Sequence, residues 1–186
     1  METIWNRIET WLAINAPEIL DSLQPGATDQ AINKAEAFLE SKLPEDVKAS
    51  YRLHNGQSEP EHGLINAWEF LSLERIMDEW QIWKDLLDAG EFDGTKSVPV
   101  GSIQSDWWNQ NWIPLTYSGS GDHHCLDLDP APGGQVGQII IMWHDWEHRE
   151  VIANSFKDWL GQFATDLESG KYIFAKEDGV LIAVNE

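Results

Sequence analysis

A chain of 186 residues, 42% of them hydrophobic, is long enough for one domain with a sizeable core. Thirty-two acidic against twelve basic residues leave a formal charge of −20, which repels phosphate backbones, argues against direct nucleic-acid binding and favours a basic protein partner. No apolar run approaches the roughly 18 residues of a membrane span, the N-terminus lacks the cationic and apolar regions of an export signal, and the lone Cys125 permits no intramolecular disulfide, so a cytoplasmic protein without membrane contact is expected.

Ile4, Ile8, Trp11 and Leu12 recur at helical spacing and predict an N-terminal helix with one buried face. The string QPGATD interrupts it. Thr28 or Asp29 then caps a second helix in which Ile32, Ala35, Phe38 and Leu39 share a side, up to Leu43-Pro44. Pro44 suits a first helical position and is followed by Glu45 and Asp46, acids that favour a helix N-terminus. The third helix turns Val47 and Tyr51 inward and stops at Asn55-Gly56. The segment NAWEFLSLERI predicts a short strand or turn entering a helix capped by Ser72, with Leu73, Ile76, Met77, Trp80 and Leu87 on one face and Gly90 at its end.

From there the period changes to that of strands. SVPVGSI, NWIPLTY, HCLDLD, QIIIMWH and EVIANS are short, β-branched or aromatic, and separated by turn clusters such as SGSGD and DPAPGG, which suggests an antiparallel sheet. Ser155 and Asp158 open a further amphipathic helix carrying Phe156, Trp159, Leu160, Phe163 and Leu167 inward, and Asp178-Gly179 between two apolar runs signals a hairpin. Helices, then strands, then a helix and a hairpin make the class α+β. The hairpin is expected to complete this chain's own sheet.

The stretch from Ser97 to His148 contains no Lys or Arg, yet holds five of the eleven tryptophans and four of the six histidines. Its His, Cys and carboxylate groups suggest a metal site, and a metal-dependent hydrolase using His123, Asp127, His144 and His148 is the enzymatic alternative, but the spacing is not diagnostic. On a strand His123, Cys125, Asp127 and Asp129 would point one way and His124, Leu126 and Leu128 the other, with polar residues on a solvated side. Cys125 as a nucleophile, with His123, His124 or His144 as base, would need a nearby cation to lower its pKa, and the stretch offers none. SGSGD precedes a strand instead of a helix and lacks a following lysine, so it is a turn and not a phosphate cradle. Trp112 and Trp159 are assigned to packing. Trp107, Trp108 and Trp146, flanked by acids and amides in predicted loops, are candidates to face a partner.

The order of motifs resembles the SUKH superfamily, in its Smi/Knr-type branch. AINKAEAFLESKLPEDVKASYRLHNGQ (Ala31 to Gln57) is similar to the family's helix, Leu-Pro step, second helix and Asn-Gly; LSLERI (Leu71 to Ile76), WIPLTYSGSGDHHCLDLDPAPGGQVGQIIIMWHD (Trp112 to Asp145) and SFKDWLGQF (Ser155 to Phe163) continue the pattern. The resemblance covers about residues 26–172 and implies an α+β fold with a central, largely antiparallel sheet flanked by helices; length gives a single domain over residues 1–186, in which an N-terminal helical extension over 1–25 and a C-terminal hairpin over 172–186 lie outside the match. The resemblance also implies protein binding without a catalytic set, and no metal or cofactor is expected. The expected function is that of an immunity-type protein neutralising a basic toxin such as a nuclease, with a scaffold in cell-wall synthesis as the other reading. The expected partner surface comprises Asp106, Trp107, Trp108, Asp122, Asp145, Trp146 and Glu147.

Overall fold

In the computed structural model, which describes residues 1–58 and 62–184, helix α1 spans Glu2–Asn15 and buries Trp5, Ile8 and Leu12. The chain then enters a helix that periodicity did not reveal, α2 (Pro17–Ser22), with Pro17 in its first turn, where a missing N–H breaks no helical bond. After β1 (Leu23–Pro25) comes α3 (Asp29–Phe38), capped by Thr28, whose hydroxyl accepts from the Ala31 N–H. Ile32, Ala35 and Leu39 are buried, whereas Phe38 is 42% exposed, because it lies roughly 90° around the helix from the centre of their stripe.

Helix α4 (Glu45–Tyr51) has Pro44 as its N-cap and not as its first helical residue, and it ends before the Asn-Gly pair expected to stop it. That pair lies in β2 (His54–Gln57), antiparallel to β1. Asn55 Oδ1 accepts the Leu73 N–H at 3.0 Å, and Gly56, at φ +70°, passes so close to the next helix that a Cβ would sit 2.3 Å from the Ser72 nitrogen. Asn-Gly therefore joins β2 to the start of a helix instead of ending one. Beyond β3 (Glu69–Phe70), α5 (Leu73–Asp88) begins at Ser72, whose hydroxyl accepts from the Arg75 N–H, and buries Leu73, Ile76, Met77, Trp80 and Trp83.

The strands follow in the expected order: β4 (Val98–Val100), β5 (Trp112–Pro114), β6 (Thr116–Tyr117), β7 (His123–Asp127), β8 (Gln138–Met142) and β9 (His148–Ala153). Next come α6 (Phe156–Glu168), which Ser155 caps, and the hairpin of β10 (Tyr172–Ala175) and β11 (Val180–Ala183). The fold is α+β. Its main sheet has the order β4-β9-β8-β7-β5, antiparallel throughout except for the parallel β4–β9 pair at one edge. The edge position of β5 accommodates Pro114, as its sequence suggested.

Two expectations are corrected here. First, β7 has no solvated side: all five of its residues are buried. His123 meets Trp83 of α5 and His124 meets Trp159 of α6, so consecutive residues are covered by helices on opposite faces. Second, the C-terminal hairpin does not extend the main sheet. It forms its own two-stranded sheet and docks on the 63–67 loop, where the Leu181 N–H donates to the Gly63 carbonyl and the Ala67 N–H to the Leu181 carbonyl.

Replacing Gly56 by Ala should destabilise the fold by about 2–4 kcal/mol, combining the left-handed backbone penalty with the clash at Leu71 and Ser72. A lower urea midpoint with an unchanged m value is the expected reading; a loss below about 0.5 kcal/mol would mean that β2 and α5 are not locked together.

Candidate functional site

The loop from Trp143 to Glu147 joins β8 to β9 and carries three of the expected residues. Asp145, Trp146 and Glu147 are exposed, and the Trp146 ring, 55% exposed, stacks on His148 at 4.9 Å between centroids. Register extends this surface onto the sheet. Val98 pairs with His148 and Val100 with Glu150, so their side chains share one face, and the Val98 N–H donates to the Glu147 carbonyl at 2.7 Å. α6 leaves this end of the face bare, with Val98 54%, Val100 51% and Ile152 40% exposed. These three residues were not among those expected from sequence, although Val-Pro-Val carries the period-2 signal that puts two valines on one side.

The other four expected residues divide. Asp106 is half-buried and accepts from Asn109 at 3.0 Å and Lys96 at 3.3 Å. Trp107 is half-buried, with the Arg149 guanidinium 5.1 Å from its ring centroid. Trp108 is core, only 2% exposed, with ring centroids 6.3 Å from both Trp80 and Trp83, so packing and not a partner holds it. Asp122 is 8% exposed and engaged internally: it accepts from Ser118 and Ser120, and from the His144 N–H and Nδ1 at 2.9 and 2.8 Å. Burial opposes its ionised form, but these hydrogen bonds and the adjacent imidazole outweigh that and lower its pKa.

The residues of the enzymatic alternative are dispersed. His123 and Asp127 stand at opposite ends of β7, His144 pairs with Asp122, and His148 lies under Trp146. Among the described residues, ligand atoms of Asp122, His144 and Asp145 come within 4.8 Å of one another. His144, however, directs Nδ1 to Asp122 and Nε2 towards Asp145 at 3.8 Å, so one ion could not use both contacts. Cys125 is fully buried, and burial pushes its pKa up, although Arg149 opposes this; a nucleophile requires the reverse shift.

Arg149 was also missed. It is fully buried and donates to the carbonyls of Trp107, Trp146 and His148, at 2.8 Å for the first and last. Burial lowers its pKa to about 10, which still leaves it charged at neutral pH. Beside this clamp a groove of about 360 Å³ opens, walled by Trp83, Phe92, Trp107 and Tyr117, with Glu79 and His144 among its lining.

A profile of the SMI1/KNR4 family (SUKH-1) matches residues 26–162. The chain belongs to this family. It is 32% identical over 191 residues to the cell wall biosynthesis/cell cycle regulator smi1 of Schizosaccharomyces pombe, covering 95% of this chain and 38% of that protein. It is 30% identical to a glucan synthesis regulatory protein of Neurospora crassa (94% and 39% covered) and 27% identical to the cell wall assembly regulator SMI1 of Saccharomyces cerevisiae (94% and 42%). The chain thus spans about two fifths of the length of these SMI1/KNR4 relatives. The alignments reach well beyond the profile and so take in residues outside 26–162 as well.

Two measurements address the interior that supports this surface. Replacing Arg149 by Met leaves three carbonyls without their donor and should cost about 2–4 kcal/mol, with amide exchange over residues 143–148 accelerating more than in the β10–β11 hairpin. Burial lowers His123 to about 4 and His124 to about 3, below the ordinary 6.5. The unfolded chain therefore takes up these protons first, so stability present above pH 6.5 should be lost as pH falls towards 4, at up to about 1.4 kcal/mol per pH unit for each histidine. Asp127 and Glu79, whose carboxyls burial raises, offset part of that loss. Urea titrations of the protein and of His124→Gln should show a shallower slope in the variant; equal slopes would remove His124 from the account.

Proposed function

We propose that this chain is a non-catalytic protein-binding module with a regulatory role in cell-wall synthesis, and that it engages basic partners through the 145–147 loop and the bare sheet face beside it. The observation that carries the binding surface is an exposed tryptophan between two exposed carboxylates, continuous with Val98 and Val100: a desolvatable centre with an acidic rim. The regulatory role is supported by the names of the relatives, which are regulators of cell-wall and glucan synthesis. Those names favour the scaffold reading over toxin neutralisation. They also favour a non-enzyme, in keeping with the dispersal of His123, Asp127, His144 and His148.

A net charge of −20 will attract many basic proteins without specificity, so the test must separate location from total charge. The protein is immobilised, partners are captured at low salt from a lysate of its own source, and the same retained proteins are followed in variants. Trp146→Ala and the pair Asp145→Lys with Glu147→Lys should weaken retention roughly tenfold or more, whereas Glu18→Lys with Asp21→Lys, the same charge change on exposed residues of α2, should leave most of it. Equal losses from both reversals would reduce the surface to bulk charge. One tight stoichiometric toxin in place of several weaker partners would return the reading to toxin neutralisation.

A further inference from the structure

The groove on the α5 side of the Trp143–Glu147 loop is lined by a carboxylate of which one oxygen has no hydrogen-bond partner among the described residues. Glu79 is 6% exposed, and its Oε1 accepts from Arg75 at 2.8 Å. Its Oε2 makes no hydrogen bond among the described residues: the nearest polar neighbour given for it is His123 Nε2 at 3.9 Å, and that nitrogen already accepts from the Trp83 indole at 3.2 Å. The His123 Nδ1 faces the Thr116 carbonyl at 2.6 Å, so the neutral ring carries its proton there and has none to offer Glu79. One oxygen of a largely buried carboxylate is thus left without a hydrogen bond among the described residues, in the lining of a concavity whose walls are the rings of Trp83, Phe92, Trp107 and Tyr117.

We infer that this groove is a receptor for a guanidinium group, presented as an arginine side chain by an extended basic segment of a protein partner. A planar cation suits both features at once, stacking on aromatic faces while donating to a carboxylate. The chain already makes this arrangement once, with Arg75, which lies 5.6 Å from the Tyr117 centroid and donates to Glu69 and Glu79, and it stacks a second guanidinium, that of Arg149, 5.1 Å from the Trp107 centroid. These internal cations do not reverse the sign of the site. Arg75 is paired with Glu69 and Glu79, and with Asp122 the surrounding carboxylates outnumber the two guanidinium groups three to two. Burial makes Glu79 costly to ionise, Arg75 only partly compensates, and an incoming cation would relieve the remainder. His144, in the loop that also carries Trp146, lines the groove, so a segment crossing that loop would reach the groove with a side chain.

This inference rests on the protein-binding reading above, but its test requires no partner, so the two can fail separately. Acetyl-Gly-Arg-Gly-amide is titrated into the uniformly 15N-labelled protein, and the indole resonances of Trp83 and Trp107 are followed. Saturable shifts with half-saturation on the order of 1 mM are expected, the scale for a ligand of this size. The citrulline analogue, which keeps the shape and loses the charge, should bind at least about tenfold more weakly. Glu79→Gln keeps an acceptor for Arg75 and should lose about tenfold; Phe92→Leu, a half-buried ring outside the regular elements, should lose severalfold and provides a second variant should Glu79→Gln unfold. Equal binding of the arginine and citrulline peptides, or shifts that stay linear to about 50 mM, would overturn the inference, as would unchanged affinity in a folded Glu79→Gln protein.

Discussion

A buried positive charge with no carboxylate hydrogen-bonded to it among the described residues organises the half of the molecule that carries the candidate site. Arg149 is the first cation after a stretch of more than fifty residues without one, and among the described residues it pairs with none of the surrounding acids. Its guanidinium instead collects the carbonyls of Trp107, Trp146 and His148 and stacks on the Trp107 ring. Carbonyls in two loops that would otherwise need water are satisfied by one planar donor, whose fork geometry a lysine lacks. The loop that presents Trp146 and the loop that walls the groove are consequently fixed to the same strand and to each other.

The polar character of this region follows from that arrangement and from the burial of β7. His123, His124 and Asp127, which read from sequence as ligands or as a solvated face, hold neighbouring elements together: His123 takes the Trp83 indole, His124 and Thr116 exchange hydrogen bonds, and Asp127 accepts from Gln138 at 2.8 Å. Rings continue outward from this interior, from Trp159 through His124, Trp68 and Trp143 to Trp146. The exposed tryptophan is thereby the outer end of a packed series, which lowers the conformational entropy that a partner would have to remove.

Elements governed by local chemistry were legible in the sequence. Thr28, Ser72 and Ser155 cap the helices they were expected to cap, Asp178-Gly179 turns the hairpin, and the strand order from Val98 to Ala153 follows the turn signals. What could not be read depended on partners distant in sequence. Asn55-Gly56 has the composition of a helix stop, and only the approach of Ser72 reveals its role as a joint. Trp108 and Trp146 both lie close to acids in the sequence, but α5 covers one and the other stays 55% exposed. Asp122 was legible as a loop acid and not as an internal hydrogen-bond acceptor, because His144 lies 22 residues away.

The edge of the main sheet shows why contact through faces is the consistent reading. In β4 the Val98 N–H points to β9, so alternate residues Ser97 and Pro99 direct their backbone outward. The Ser97 N–H is taken by the Ser105 carbonyl, and Pro99 has none to give. An incoming strand would find no free donor at these two positions, which blunts β-strand addition just where exposed valines would otherwise invite it. The valines remain available as a flat apolar face bordered by Glu147, Glu150 and Trp146. A partner that uses this surface must therefore be recognised by side chains, and specificity then resides in where its apolar and basic groups fall and not in backbone pairing.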